Sequence, residues 1–261
     1  MNRRIEMTLR HSIDQSVDAA SCRADRWATQ SVDDIRRTQW FVDGRPDEIG
    51  HWFHVDSYDD ARQSNRIDWI GDFHNVHRIG HQHRLGQWTI EGHAGNEVGS
   101  CMTAGRIDVM GNAGDRAGSS SGSRGSGMNG GILTIHGNTG MMAGHRMRRG
   151  ELRVGGCAGE GLGSLMIAGT IQCAGSVGQN LGVGMRRGTI ILSQRPRLPE
   201  KRFTNPAPLQ TPFQTILARQ RGVLTQSIRS MLHQELYQVW GDRSMQGQGE
   251  VWFPAPSDPA G

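Results

Sequence analysis

The sequence predicts an all-β core: a right-handed parallel β-helix of about six coils, with an N-terminal cap and a C-terminal helical extension. Three observations predict it. A glycine-studded unit of about 19 residues recurs from Ile67 to Leu192. Each unit opens on an apolar–polar–apolar triplet, and each places a methionine or its substitute near its end. The chain divides accordingly into a cap segment (1–62), the repeats (63–194) and an extension (195–261).

The clearest unit is Leu152–Thr170, in which Leu152 and Val154 lead into Gly156, Gly159, Gly163, Met166 and Gly169. Its neighbours repeat the order: Ile171 and Cys173 with Gly175 and Met185, and Leu133 and Ile135 with Gly137 and Met147. Ile107 with Val109, and Trp88 with Ile90, head two earlier units; a frayed first copy starts at Ile67 and Trp69 and puts His83 in the methionine place. A triplet such as Leu152-Arg153-Val154 is a short strand with one face buried, because side chains alternate along a strand. Stacked on its equivalent at about 4.8 Å, it gains a ladder of main-chain bonds. Each buried Leu, Ile or Val then contributes roughly 1.5–3 kcal/mol. Glycines mark where the chain turns and where successive units come close. A helix would lose about 1 kcal/mol at each of them against alanine. Leucine-rich, calcium-binding nonapeptide and hexapeptide repeats lack their signatures here, and no phosphate-loop motif occurs.

Before the repeats, Ile5, Met7 and Leu9 alternate like a strand, and Ser31 followed by Asp34 marks a short capped helix. Trp40–Val42 and Trp52–Val55 predict two further strands around a turn at Asp43-Gly44. The segment would cover the open end of the stack. The third unit carries an insertion, SSSGSRGSG, which is either a surface bulge or a finger that docks on a partner with Arg124 at its tip. From Thr215 to Trp240, Leu217, Leu224, Ile228, Met231, Leu232 and Val239 are spaced for an amphipathic helix. Trp252 and Phe253 follow on a tail that is disordered unless those rings are buried.

No apolar run approaches the roughly 20 residues of a membrane span, and the N-terminus lacks the apolar centre of a signal peptide. Cys22, Cys101, Cys157 and Cys173 show no metal spacing, so a reduced, cytoplasmic protein without its own metal is expected. The formal charge of +4 is carried almost wholly by arginine, Lys201 being the one lysine, and no basic run with aromatics indicates nucleic acid.

The methionine stripe (Met102, Met128, Met147, Met166, Met185) fits core packing. His74, His77, His81 and His83 crowd the first unit, with His51 and His54 just before it, without a carboxylate or thiolate at a familiar ligand spacing. Arg148-Arg149 and Arg186-Arg187 occupy the same place two units apart, with Arg146 and Arg153 nearby. They form either a solubilising edge or a docking strip for an acidic partner or polyanionic ligand. No catalytic constellation stands out.

The unit Gly-x-x-Gly-x-x-x-Gly-x-x-Met-x-x-Gly resembles the GXGXG-type repeat domain shared by the C-type subunit of formylmethanofuran dehydrogenase and the C-terminal domain of glutamate synthase large subunits. Met7-Thr8-Leu9, the helix start Val32–Ile35, the Gly44 turn, Phe53-His54-Val55 and Gly127–Gly131 are similar to the lead-in and third unit of that dehydrogenase component, over residues 5 to about 192. The resemblance implies one of two settings: a formylmethanofuran dehydrogenase that reduces CO2, or the bacterial formyltransferase/hydrolase complex. In the latter, a formyl group passes from formyl-tetrahydromethanopterin to a methanofuran-type carrier and leaves as formate. An arginine-dominated chain with long termini favours the bacterial complex. In both settings the resemblance assigns the chemistry, its cofactors and its metal to partners, namely formyltransferase, amidohydrolase-like and dehydrogenase-like subunits. This chain is then a scaffold. On that reading, Arg124, Arg146, Arg148, Arg149, Arg186 and Arg187 would contact a partner or the carrier's polyglutamate tail. An acyl-transfer enzyme with His83 or His136 as base is the remaining alternative.

Overall fold

The apolar–polar–apolar triplet that leads each repeat is a strand in the computed structural model, which describes residues 3–59, 65–122, 125–199, 201–209, 214–215 and 226–255. Ahead of the repeats come β1 (Arg3–Leu9), β2 (Val17–Asp18), β3 (Gln39–Val42), β4 (Arg45–Glu48) and β5 (Phe53–Asp59). Between them lie three short helices, α1 (Ala24–Trp27), α2 (Val32–Arg36) and α3 (Ile49–Trp52). The repeats supply β6 (Arg66–Ile70), β7 (Val76–His77), β8 (Gln87–Glu91), β9 (Arg106–Val109) and β10 (Asn129–Ile135). They continue with β11 (Arg149–Val154), β12 (Thr170–Cys173) and β13 (Thr189–Leu192). After them come β14 (Ala207–Pro208), α4 (Gln226–Met231), β15 (Leu236–Gly241) and β16 (Gly249–Pro254).

The repeat strands pair in parallel, in the order β6-β8-β9-β10-β11-β12-β13, and like residues stand over like. One column runs Ile67, Trp88, Ile107, Leu133, Leu152, Ile171, Ile190. A second runs Trp69, Ile90, Val109, Ile135, Val154, Cys173, Leu192. All of these side chains are buried, as are the five methionines of the stripe. Because alternation has a period of two, a slip of one residue would turn both columns out of the core, so the register is strongly held.

The sheet does not close into the expected right-handed parallel β-helix. Among the described residues it is a mixed sheet of twelve strands, ordered β14-β15-β16-β13-β12-β11-β10-β9-β8-β6-β1-β5, with a four-stranded sheet, β4-β3-β2-β7. The β1–β5, β14–β15 and β15–β16 pairs are antiparallel. The reason lies in the rest of each unit. Past its strand, the chain enters left-handed conformations at non-glycine positions, such as Glu97, Arg116 and Met142 at φ 60, 61 and 57 and Cys101 and Leu165 at φ 55 and 53. Extended residues therefore come singly there. They give only isolated parallel bridges, Phe73–Ala94–Ala113–Thr139–Ala158–Val177, in place of a further sheet.

The C-terminal helical extension is corrected too. Among the described residues of that stretch the helix covers Gln226–Met231, while Leu236–Gly241 is a strand paired with β16. Leu217 and Leu224 lie outside the described residues. Leu-Tyr-Gln-Val-Trp is rich in aromatic and β-branched residues, which suit a pleated, half-buried surface, and β16 offers it a partner. Trp252 and Phe253 are buried within β16, which itself continues the parallel ladder beyond β13. At the other end, β1 pairs with β6 and sets Ile5 beside Ile67 and Met7 beside Trp69. Ser31 and Asp34 form a reciprocal capping box at the start of α2.

Candidate functional site

In every repeat, two residues lie between the buried methionine position and the glycine before the next strand. Main-chain bonds stack these pairs upon one another. Thr103 N–H donates to His83 O (2.8 Å), Asn129 N–H to Met102 O (2.7 Å) and Arg148 N–H to Met128 O (2.8 Å). Ile167 N–H donates to Met147 O (2.7 Å), Arg186 N–H to Met166 O (2.8 Å), and Gln248 N–H then to Arg186 O (2.7 Å). The rungs therefore read Thr103-Ala104, Asn129-Gly130, Arg148-Arg149, Ile167-Ala168 and Arg186-Arg187, with Gln248 on the C-terminal layer. At about 4.8 Å per rung, the two arginine pairs stand roughly 10 Å apart.

Arg148, Arg149, Arg186 and Arg187 are exposed, and among the described residues their side chains make no ion pair or hydrogen bond. Other arginines differ: Arg78 pairs with Asp18, Arg84 with Asp25, Arg106 with Asp108 (2.9 Å) and Arg116 with Glu97 (3.3 Å). Arg153 also departs from the edge. It lies on the outward row of the sheet, is buried, and pairs with Glu151 at 2.7 Å. Arg146 sits at φ 56 and donates from Nε to Gly125 O (2.9 Å), so it holds the base of the insertion. Arg124 lies outside the described residues. What the structure brings together is therefore two arginine pairs on one edge. Guanidinium groups in such an array recognise carboxylates or phosphates.

The insertion is pinned at its base. Ser119 and Ser120 are fully buried, and the Cys101 thiol accepts from Ser121 N–H (3.3 Å) and donates to Ser126 O (3.5 Å). Sequence reasoning missed this clamp, since Cys101 carries no motif. It also missed a polar ladder: Asn112 N–H donates to His93 Nδ1, Asn138 N–H to Asn112 Oδ1, and Cys157 N–H to Asn138 Oδ1, at 2.9, 2.8 and 2.7 Å. His77, Asn96 and Asp115 build a parallel one, accepting from Asn96, Asp115 and Met141 N–H. The recurrence of His, Asn or Asp at the repeat spacing was its signal.

The remaining histidines disperse. His51 bonds Asp47, His74 bonds Asp72, and His54 and His136 are exposed. His83 is buried against Trp88, donating from Nε2 to Gly86 O at 3.2 Å. His81 and His145 contact Ser100 and Ser164 at 2.8 Å each, and among the described residues neither imidazole is hydrogen-bonded to a carboxylate. Burial holds His77, His81, His83 and His145 below the usual histidine range, with Arg78 adding at His81 and Arg116 and Arg146 at His145. Burial also raises the Cys173 thiol to about 11 and Cys22 higher still, so neither is a thiolate at neutral pH. Among the described residues no three His, Cys, Asp or Glu side chains gather as a metal site. No helix among them is long and apolar enough to cross a membrane.

Fold and surface together define a class: a repeat-built mixed β-sheet protein that presents a cationic edge. The particular likeness is to a chain from the X-ray crystal structure of the formyltransferase/hydrolase complex (FhcABCD) of Methylorubrum extorquens in complex with methylofuran. The two share 28% identity and a TM-score of 0.81, and the match covers 96% of this chain and 99% of that one. No family model matches the sequence, so the GXGXG-type repeat assignment finds no support there, and no curated protein matches it in sequence.

Proposed function

We propose that the chain is the C-type, non-catalytic component of a formyltransferase/hydrolase complex. The observation that carries this reading is the structural likeness to a chain of such a complex along nearly the whole of both chains. At 28% identity and a TM-score of 0.81, it extends beyond the repeats to the lead-in and the C-terminal layer. The in-register stack supports a scaffold role. Its strands are locked by two buried columns and by polar ladders between units, so surfaces on successive rungs keep fixed spacings.

In this reading, formyl transfer from formyl-tetrahydromethanopterin to a methanofuran-type carrier, and hydrolysis to formate, take place on partner subunits. Those partners are a formyltransferase subunit, an amidohydrolase-like subunit and a dehydrogenase-like subunit, in the cytoplasm, and the metal belongs to them. The chain supplies position rather than chemistry: it holds partner sites at a set separation, which shortens the path of the carried formyl group. The test is direct. The purified chain alone should turn over neither formyl-tetrahydromethanopterin nor formylated carrier, whereas the assembly containing it should turn over both. Turnover by the isolated chain would refute the proposal.

A further inference from the structure

We propose that the edge formed by Arg148, Arg149, Arg186 and Arg187 is a docking surface for an acidic face of a partner polypeptide. Four guanidinium groups stand exposed in two pairs, and among the described residues none has a carboxylate partner. The rungs from Thr103-Ala104 to Arg186-Arg187 contain no Asp or Glu. An edge built for solubility mixes both signs, as where Arg78, Arg84, Arg106 and Arg116 are paired with carboxylates elsewhere on this chain. Two like-charged pairs stacked about 10 Å apart concentrate positive potential on one edge, which favours an anionic face over a neutral one.

The rung between the pairs decides the kind of partner. Ile167 and Ala168 are half-buried there, so the edge has an apolar centre flanked by guanidinium groups. That is the anatomy of a protein interface, in which arginine is enriched and the middle is apolar. A free polyanion would have no use for the isoleucine. The spacing also suits a polypeptide: residues seven apart on a helix share a face and lie about 10.5 Å apart, close to the separation of the two pairs. The backbone beneath the edge is fixed by the ladder from Met128 O to Gln248 N–H, so the array is set before the partner arrives. That the partner is another member of the assembly rests on the function proposed above; the acidic docking does not.

The test uses the full-length chain, tagged and expressed in its own organism, beside R148E/R149E/R186E/R187E and the milder R148Q/R149Q/R186Q/R187Q. The wild-type chain should co-purify with a partner polypeptide and lose it as salt rises. The Glu variant should bind about tenfold or more weakly with an unchanged melting transition. If the Glu variant melts early, the Gln variant carries the comparison and should also weaken binding. In a fourth variant, R148K/R149K/R186K/R187K, carbodiimide should join the new lysines to Asp or Glu of that partner. Unchanged association in the Gln and Glu variants would overturn the proposal, and so would crosslinks only to a small polycarboxylate ligand. Loss of a partner that is not part of a formyltransferase/hydrolase complex would sink the proposed function and uphold the docking edge. A wild-type chain that comes down alone would sink both.

Discussion

Replacing Gly159 by alanine tests the close stacking of the repeats where no side chain can yield. A Cβ at Gly159 would stand 2.7 Å from Gly140 C, 2.8 Å from Gly140 O and 2.9 Å from Met141 N, all main-chain atoms of the preceding unit. Those atoms are held by the bonds from Gly159 N–H to Thr139 O (3.0 Å) and Gly140 O (3.2 Å), so relief requires two units to part. Overpacking of this kind costs about 1–3 kcal/mol, and the immovable neighbour places Gly159→Ala near the top of that range. Gly44 is the control. It has φ +76 with nothing within 4 Å of its Cβ, so Gly44→Ala meets only left-handed strain, about 1–2 kcal/mol. Urea unfolding followed by circular dichroism reads the difference as a shift of midpoint at constant slope. The Gly159 variant should lose about 1–2 kcal/mol more than the Gly44 variant. Equal losses would refute close stacking as the reason for the glycine.

Leu152→Ala removes a fully buried side chain from the middle of the first column and should cost about 3–4 kcal/mol by the same unfolding assay. A loss under about 1 kcal/mol would mean the column is not packed. Asp242 is buried and accepts from Gly184 N–H (2.9 Å), Ser244 N–H (2.9 Å) and Arg202 (2.7 Å). Asp242→Ala should therefore cost about 2–3 kcal/mol, read as a shifted urea midpoint. Burial alone would raise the Asp242 pKa, but these donors together hold it below the ordinary carboxylate range. Its contribution is thus present above about pH 4 and lost as pH falls through the lowered folded value, which acid unfolding of the variant against the wild type checks. For His77, His81, His83 and His145 the sign also follows from a lowered folded pKa. The unfolded chain takes up protons near pH 6.5 that the fold disfavours, so stability falls as pH drops below about 6.5. The melting temperature should be lower at about pH 5.5 than at about pH 7.5, and an unchanged or higher value at the lower pH would contradict this.

The sequence carries the repeat plainly, because a buried column demands an apolar residue at each equivalent place. Leu152, Ile171 and Ile190 announce both the strand and its register. The methionine stripe and the Ser31 cap are legible for similarly local reasons. What the sequence hides is the course of the chain between strands. Its left-handed turns are filled by Glu97, Arg116, Met142 and Cys101 as well as by glycine, so composition does not mark them. Periodicity alone therefore suggests a closed coil where the structure has one long mixed sheet and a row of single bridges. Near the C-terminus, Leu232 and Val239 fit a helical spacing, yet pairing with β16 draws Leu236–Gly241 into a strand. Long-range pairing of that kind leaves no local trace. The two arginine pairs are visible as a doubled motif, but their isolation from acids is not. Arg153, only a few residues from Arg149, turns onto another face and finds Glu151.

The most direct measurement is native mass spectrometry of this chain co-expressed with the formyltransferase and hydrolase components of a formyltransferase/hydrolase complex. The account predicts one hetero-oligomer that contains the chain and is active in formyl transfer and hydrolysis. An active assembly of the other components that forms without the chain, while the chain runs alone, would contradict it.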